Sequence, residues 1–216
     1  VHIAITKDIT IDIPKAGLLV ALMHLAGAIG MATPLRDVFL LLTPLHLMAT
    51  AALLLFHQER WTMRFIWFIV AVTVMTFFTE VAGVLTGFVF GAYDYGRILG
   101  LKLLGTPLLI GVLWFVLIYA TISTMHRLKW SSSLKALIAG LIMVVMDVFI
   151  EPVAIALDFW QWEGDAIPLQ NYVAWFVISF IIARVAFALN IPTSNKLAPY
   201  VLGAQFAFFV ILGILL

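Results

Sequence analysis

The chain contains no cysteine, which excludes disulfides, thiolate metal sites and cysteine nucleophiles. It also contains little charge. Asp, Glu, Lys and Arg make up 11% of its 216 residues, where a soluble domain carries about 25%. A net charge of +1 leaves no basic surface to hold a nucleic acid. The chain has no His-Glu-x-x-His pair, no Gly-x-Ser-x-Gly elbow and no paired Asp-rich motif for a diphosphate and Mg²⁺. The last apolar segment has no internal lysine for a retinal Schiff base, since Lys196 stands only at its start. The segment Val1–Pro14 carries Lys7, Asp8 and Asp12 and lacks the apolar run of a secretory leader. No internal repeat is evident.

What the chain has in quantity is apolar sequence: 64% of residues are hydrophobic and the mean hydropathy is +1.15. Seven segments are long enough, or nearly so, to cross a bilayer: Lys15–Ala32, Asp37–His57, Arg64–Thr86, Thr106–His126, Leu134–Leu157, Asn171–Asn190 and Leu197–Leu216. A span must satisfy its backbone hydrogen bonds internally, so helices are expected. The fold class is an all-α integral membrane protein, a bundle of about seven transmembrane helices in a single domain over residues 1–216. Basic residues fix its expected orientation. Lys7, Lys15, Arg60, Arg64, Arg127, Lys129, Lys135 and Lys196 fall on one side, and only Arg36, Arg97 and Lys102 on the other. The bias predicts a multi-pass protein of the cell inner membrane with a cytoplasmic N-terminus and an outward C-terminus.

Three carboxylates lie inside these segments: Glu80, Asp147 and Glu151. An acid at the centre of a span costs roughly 2.5–3.5 kcal/mol on the mildest scale, so it normally faces a partner or a substrate. Asp147 and Glu151 are one helical turn apart and share a face. At ~1.5 Å per residue, Glu151 is roughly 6 Å further outward than Asp147, and Glu80 reaches about the same depth on another helix. The pattern predicts a three-acid site for general acid and base chemistry in the outer half of the bundle. Pro152 removes a backbone donor beside Glu151 and is expected to bend that helix.

Other residues gather around these acids. Gly83, Gly87 and Gly91 recur every fourth position after Glu80 and predict a smooth groove, open to a packing helix or to a rigid apolar ligand. Phe90, Tyr93, Asp94 and Tyr95 follow, with Tyr93 and Asp94 as supporting polar groups. Trp160, Trp162, Asn171, Tyr172 and Trp175 cluster around the connection Asp158–Gln170. They can form an interfacial aromatic belt or offer π faces that stabilise a cation. His24 and His46 fall near the midplane, as a hydrogen-bonded core pair or as ligands of a metal or haem. Arg184 reads as a snorkelling or helix-paired side chain.

Two ordered blocks resemble the CruF-like carotenoid biosynthesis family, which includes the carotenoid end-group hydratases and the bisanhydrobacterioruberin hydratases. The first is Glu80-Val81-Ala82-Gly83 … Thr86-Gly87-Phe88-Val89-Phe90-Gly91-Ala92-Tyr93-Asp94-Tyr95 … Leu99-Gly100 … Pro107 … Trp114. The second is Asp147-Val148-Phe149-Ile150-Glu151-Pro152 … Phe159-Trp160-Gln161-Trp162 … Pro168 … Asn171-Tyr172 … Trp175. The sequence departs from the family pattern at Glu151-Pro152, at Val89 and at Asp165-Ala166-Ile167. The resemblance implies cofactor-free, metal-free hydration of the terminal double bond of an acyclic carotenoid end, as in lycopene or gamma-carotene. Asp147 would then be the proton donor, with Glu80 and Glu151 orienting water. Gly83, Gly87, Phe90, Gly91, Tyr95, Trp160, Trp162, Asn171 and Trp175 would line the substrate. The expected partners are a hydrophobic carotenoid within the bilayer, membrane lipids and other enzymes of the carotenoid pathway. Two other functions fit part of the pattern: a proton-coupled membrane carrier, and a non-catalytic carotenoid- or lipid-binding membrane protein.

Overall fold

The computed structural model describes residues 12–216, so His2, Lys7 and Asp8 lie outside the described residues. The helices are α1 (Ile13–Met31), α2 (Arg36–Leu41), α3 (Thr43–Phe56), α4 (Met63–Thr86), α5 (Leu109–His126), α6 (Ser132–Ala156), α7 (Leu169–Ala188) and α8 (Ala198–Leu215). Four strands of two or three residues sit in the connections: β1 (Tyr93–Tyr95), β2 (Lys102–Leu103), β3 (Thr106–Pro107) and β4 (Trp160–Trp162). A 3₁₀ turn, Glu163–Asp165, follows β4.

Local chemistry sets the helix ends. Thr62 and Ser131 cap α4 and α6 by accepting from the backbone N–H of Phe65 and Leu134. Pro14, Pro44 and Pro199 stand in the first turns of α1, α3 and α8, where a missing N–H costs nothing. Pro152 lies inside α6 without ending it.

Six of the helices are long and apolar enough to span a membrane, and the protein is a multi-pass α-helical membrane bundle. The expected segment Asp37–His57 differs from the other six, because it is divided at Leu42 into α2 and α3. Pro44 cannot donate to the carbonyl one turn back, at Leu40, and its ring crowds that carbonyl. The 14 residues of α3 rise only about 21 Å, against a hydrocarbon core of ~30 Å. The divided pair still runs the height of the bundle. Arg36 donates to the Ala156 carbonyl at 3.4 Å, at one end, and Gln58 pairs with Asn195 at the other.

The core is built around α5, where every residue from Trp114 to Ser123 is buried. The outer helices turn apolar stripes away from it. Leu18, Leu22, Leu25 and Ile29 of α1 recur along one face, and each is more than two-fifths exposed. Such a surface fits lipid and not water. At the end away from the strands, Tyr119 donates to Gln58, and Asn195 donates to Tyr119 and to the Leu54 carbonyl. That cluster ties the α3–α4 and α7–α8 connections to the middle of α5.

A candidate active site under a two-strand ladder

The ends of α4 and α6 and the starts of α5 and α7 meet beneath the antiparallel pair β1–β4. Its register sets Tyr93 opposite Trp162, Asp94 opposite Gln161 and Tyr95 opposite Trp160. Strand side chains alternate, so the tyrosines share one face. Both are buried and Asp94 is exposed. The supporting role expected of Asp94 is therefore not matched by its position: lying between two site tyrosines in sequence places it on the other face of the ladder.

All three acids are buried within the bundle, at 0–4% exposure. Glu80 accepts three hydrogen bonds. The Tyr93 hydroxyl and the Tyr95 hydroxyl (2.8 Å) donate to its Oε2, and the Trp114 indole donates to its Oε1 at 2.7 Å. Glu151 also accepts three, from the indoles of Trp162 (2.7 Å) and Trp160 (3.1 Å) and from the Asn171 amide (3.3 Å). The same Asn171 amide donates to Asp147 Oδ2 at 2.6 Å. Among the described residues Asp147 accepts nothing else, and its buried Oδ1 has no partner. Two carboxyls are thus saturated with donors, and the third keeps a free oxygen.

The two glutamates are connected through the ladder. The Tyr93 and Trp162 rings lie 5.0 Å apart, and Tyr95 and Trp160 lie 5.9 Å apart. Burial pushes the Tyr93 phenol well above its ordinary pKa, aided by the charge of Glu80 and, more weakly, by that of Glu151. Burial and then the Glu80 charge push Tyr95 up likewise. Both phenols therefore stay protonated and act as donors.

The expected glycine groove is filled from within. A Cβ on Gly83 would lie 2.7 Å from the Phe90 ring and 3.1 Å from the Tyr93 hydroxyl. Gly83 thus makes room for the chain's own aromatic residues beside Glu80, and Phe90 packs there fully buried. Gly87 ends α4 in the left-handed conformation, with φ of 65°. Gly91 packs against Pro168 and Trp162. Trp114 carries an indole donor that motif spacing alone does not assign to Glu80. The available signal is position: Trp114 follows Pro107 by seven residues, as Trp175 follows Pro168, and the two indoles stack at 4.1 Å.

The open apolar space lies on the other side of these indoles. A cavity of about 360 Å³ is bounded by α1, α3, α5, α6 and α8, with Trp114, Trp160 and Trp175 in its wall. His24 and His46 border it with rings 4.5 Å apart, and His24 Nδ1 is 2.8 Å from the Val20 carbonyl. Among the described residues, no group of three or more His, Cys, Asp or Glu side chains is arranged to hold a metal ion. Tyr172 is half-buried and Arg184 is exposed on α7.

Buried carboxyls, indole and phenol donors and an adjoining apolar cavity thus lie together at one end of a multi-pass membrane bundle. The chain belongs to the carotenoid biosynthesis protein family, whose profile matches residues 37–215. It is similar to bisanhydrobacterioruberin hydratase of Haloarcula japonica, with 32% identity over 117 residues. That alignment covers 50% of this chain and 40% of the relative. No solved structure matches the chain.

Proposed function

We propose that this protein is a carotenoid hydratase, adding water across the terminal C=C bond of an acyclic carotenoid end to give a tertiary alcohol. Family membership and the name of the Haloarcula relative support the reaction class. The observation that carries the reading is the shared Asn171 amide, which holds two carboxyls of unequal character side by side.

The chemistry follows from that inequality. An unactivated alkene needs a strong acid held out of water. A proton on Asp147 Oδ1 displaces no hydrogen bond from the described residues, among which that oxygen has no partner. Asp147 therefore gives its proton to the less substituted alkene carbon, and the π electrons form the new C–H bond. The positive charge falls on the tertiary carbon. Indole faces of Trp114, Trp160 and Trp175 stabilise it, with the Glu80 carboxyl held in place by its three donors. A water lone pair then forms the C–O bond, and Glu151 takes the released proton. Its return to Asp147, which shares Asn171 with Glu151, restores the starting state. Atoms and charge balance with alkene and water alone. Carboxyls in different environments divide the acid and base roles.

The test is expression in a lycopene-producing host, with pigments analysed by mass. The expected product has gained one water. In heavy water it carries one deuterium on the carbon beside the hydroxylated one. A hydroxylated product without that deuterium would rule out protonation of the alkene.

A further inference from the structure

We infer that the apolar cavity is the channel that takes the polyene chain, loaded sideways from the membrane at the break between α2 and α3. The identity of the ligand rests on the hydratase reading; the site and its opening rest on geometry. At about 360 Å³ the cavity falls within the size of ligand pockets, which run ~300–1,000 Å³. Its lining is apolar apart from His24, His46, Gln205 and Thr43. Two of its indoles also belong to the carboxyl site: Trp114 donates to Glu80 and Trp160 to Glu151. A chain end moving along the cavity therefore reaches the indoles that hold Glu80 and Glu151.

The opening follows from the helix break. Leu42 and Leu45 line the cavity and are 44% and 67% exposed, whereas Leu117, Ile150 and Ala154 line it at 5% or less. Leu42 is the residue at which Pro44 divides the segment. The exposed side chains around the mouth, Leu41 and Leu45 among them, are apolar, so the mouth faces hydrocarbon and admits a ligand already dissolved in lipid. A linear polyene fits these conditions, with one end in the cavity and the remainder in the bilayer.

The experiment measures lycopene retained per protein after purification from a lycopene-producing host. Asp147→Asn serves as the background, so that bound substrate is not consumed. Ala49→Phe fills the cavity from α3. Leu45→Trp obstructs the mouth from an exposed position that tolerates bulk. Val177→Phe, on an exposed face of α7, is the control. The expected result is a roughly tenfold loss of pigment in the first two variants, the scale of a blocked apolar subsite, and none in the control. With Asp147 intact, both cavity variants raise the KM for lycopene more than they lower kcat.

Lycopene retained equally in all variants would overturn the channel, as would a background protein that holds none. The first result is also what a resident lipid acyl chain would give. Normal hydration by both cavity variants would remove the channel and leave the hydratase reading intact. Selective loss of bound lycopene from a protein that never hydrates it would do the reverse.

Discussion

Asp147 differs from the other two acids by what it lacks. Glu80 and Glu151 each accept three hydrogen bonds, and Asp147 accepts one. Asp147→Asn keeps the size of the side chain and removes its acidic proton. The expected outcome is accumulation of unhydrated carotenoid, with a rate loss of about 10²–10⁴-fold, the usual weight of a general acid. The variant should still insert and still bind pigment. Wild-type turnover would take Asp147 out of the reaction. The three acids are legible in the sequence because a carboxyl within an apolar span has few inexpensive explanations. Asp94 misleads because adjacency in sequence says nothing of the face, and a three-residue strand is too short to display its period. The role of Asn171 as a joint between two acids is not legible, since it depends on α7 packing against α6.

At the scale of elements, long helices are legible and short strands are not. A span of 18–25 residues has a composition that few other structures share. The strands β1 and β4 have three residues each, and their pairing joins positions nearly seventy apart in sequence. The glycines after Glu80 have the spacing of a groove, but whether such a groove stays open depends on Phe90, which turns back into it. The ladder also depends on a close approach at Gly96. Its N–H donates to the Phe159 carbonyl at 2.9 Å, and a Cβ there would meet the Asp158 carbonyl oxygen at 1.8 Å. Gly96→Ala must therefore move one strand away from the other. The expected cost is about 1–3 kcal/mol, the range for overpacking a tight site, together with reduced activity as the Tyr and Trp donors shift. Thermal unfolding followed by tryptophan fluorescence would measure it, and an unchanged midpoint would mean that the ladder accommodates the methyl group.

At the scale of the whole molecule, the strand end carries Arg36, Arg97 and Lys102. The opposite end carries Lys15, Arg60, Arg64, Arg127, Lys129, Lys135 and Lys196. By the positive-inside rule the site should lie toward the outer face, and a reporter fused after Leu216 should read as external. A cytoplasmic reading would reverse the orientation. One further consequence lies in the paired strands. The units α4–β1–α5 and α6–β4–α7 are built alike: a glutamate near the helix end, an aromatic-x-aromatic strand, then a proline and a tryptophan seven residues on. Their strands pair about the point where Asp94 meets Gln161, and their tryptophans stack on each other. The two units thus share an order of parts without sharing their spacing. Glu80 corresponds to Glu151, but Asp147 corresponds to Thr76 and Asn171 to Ile110. The units differ in their donors, tyrosines and Trp114 on Glu80 against tryptophans and Asn171 on Glu151. Only one unit carries a second acid, so on the proposed reading the proton reaches the alkene from that side alone.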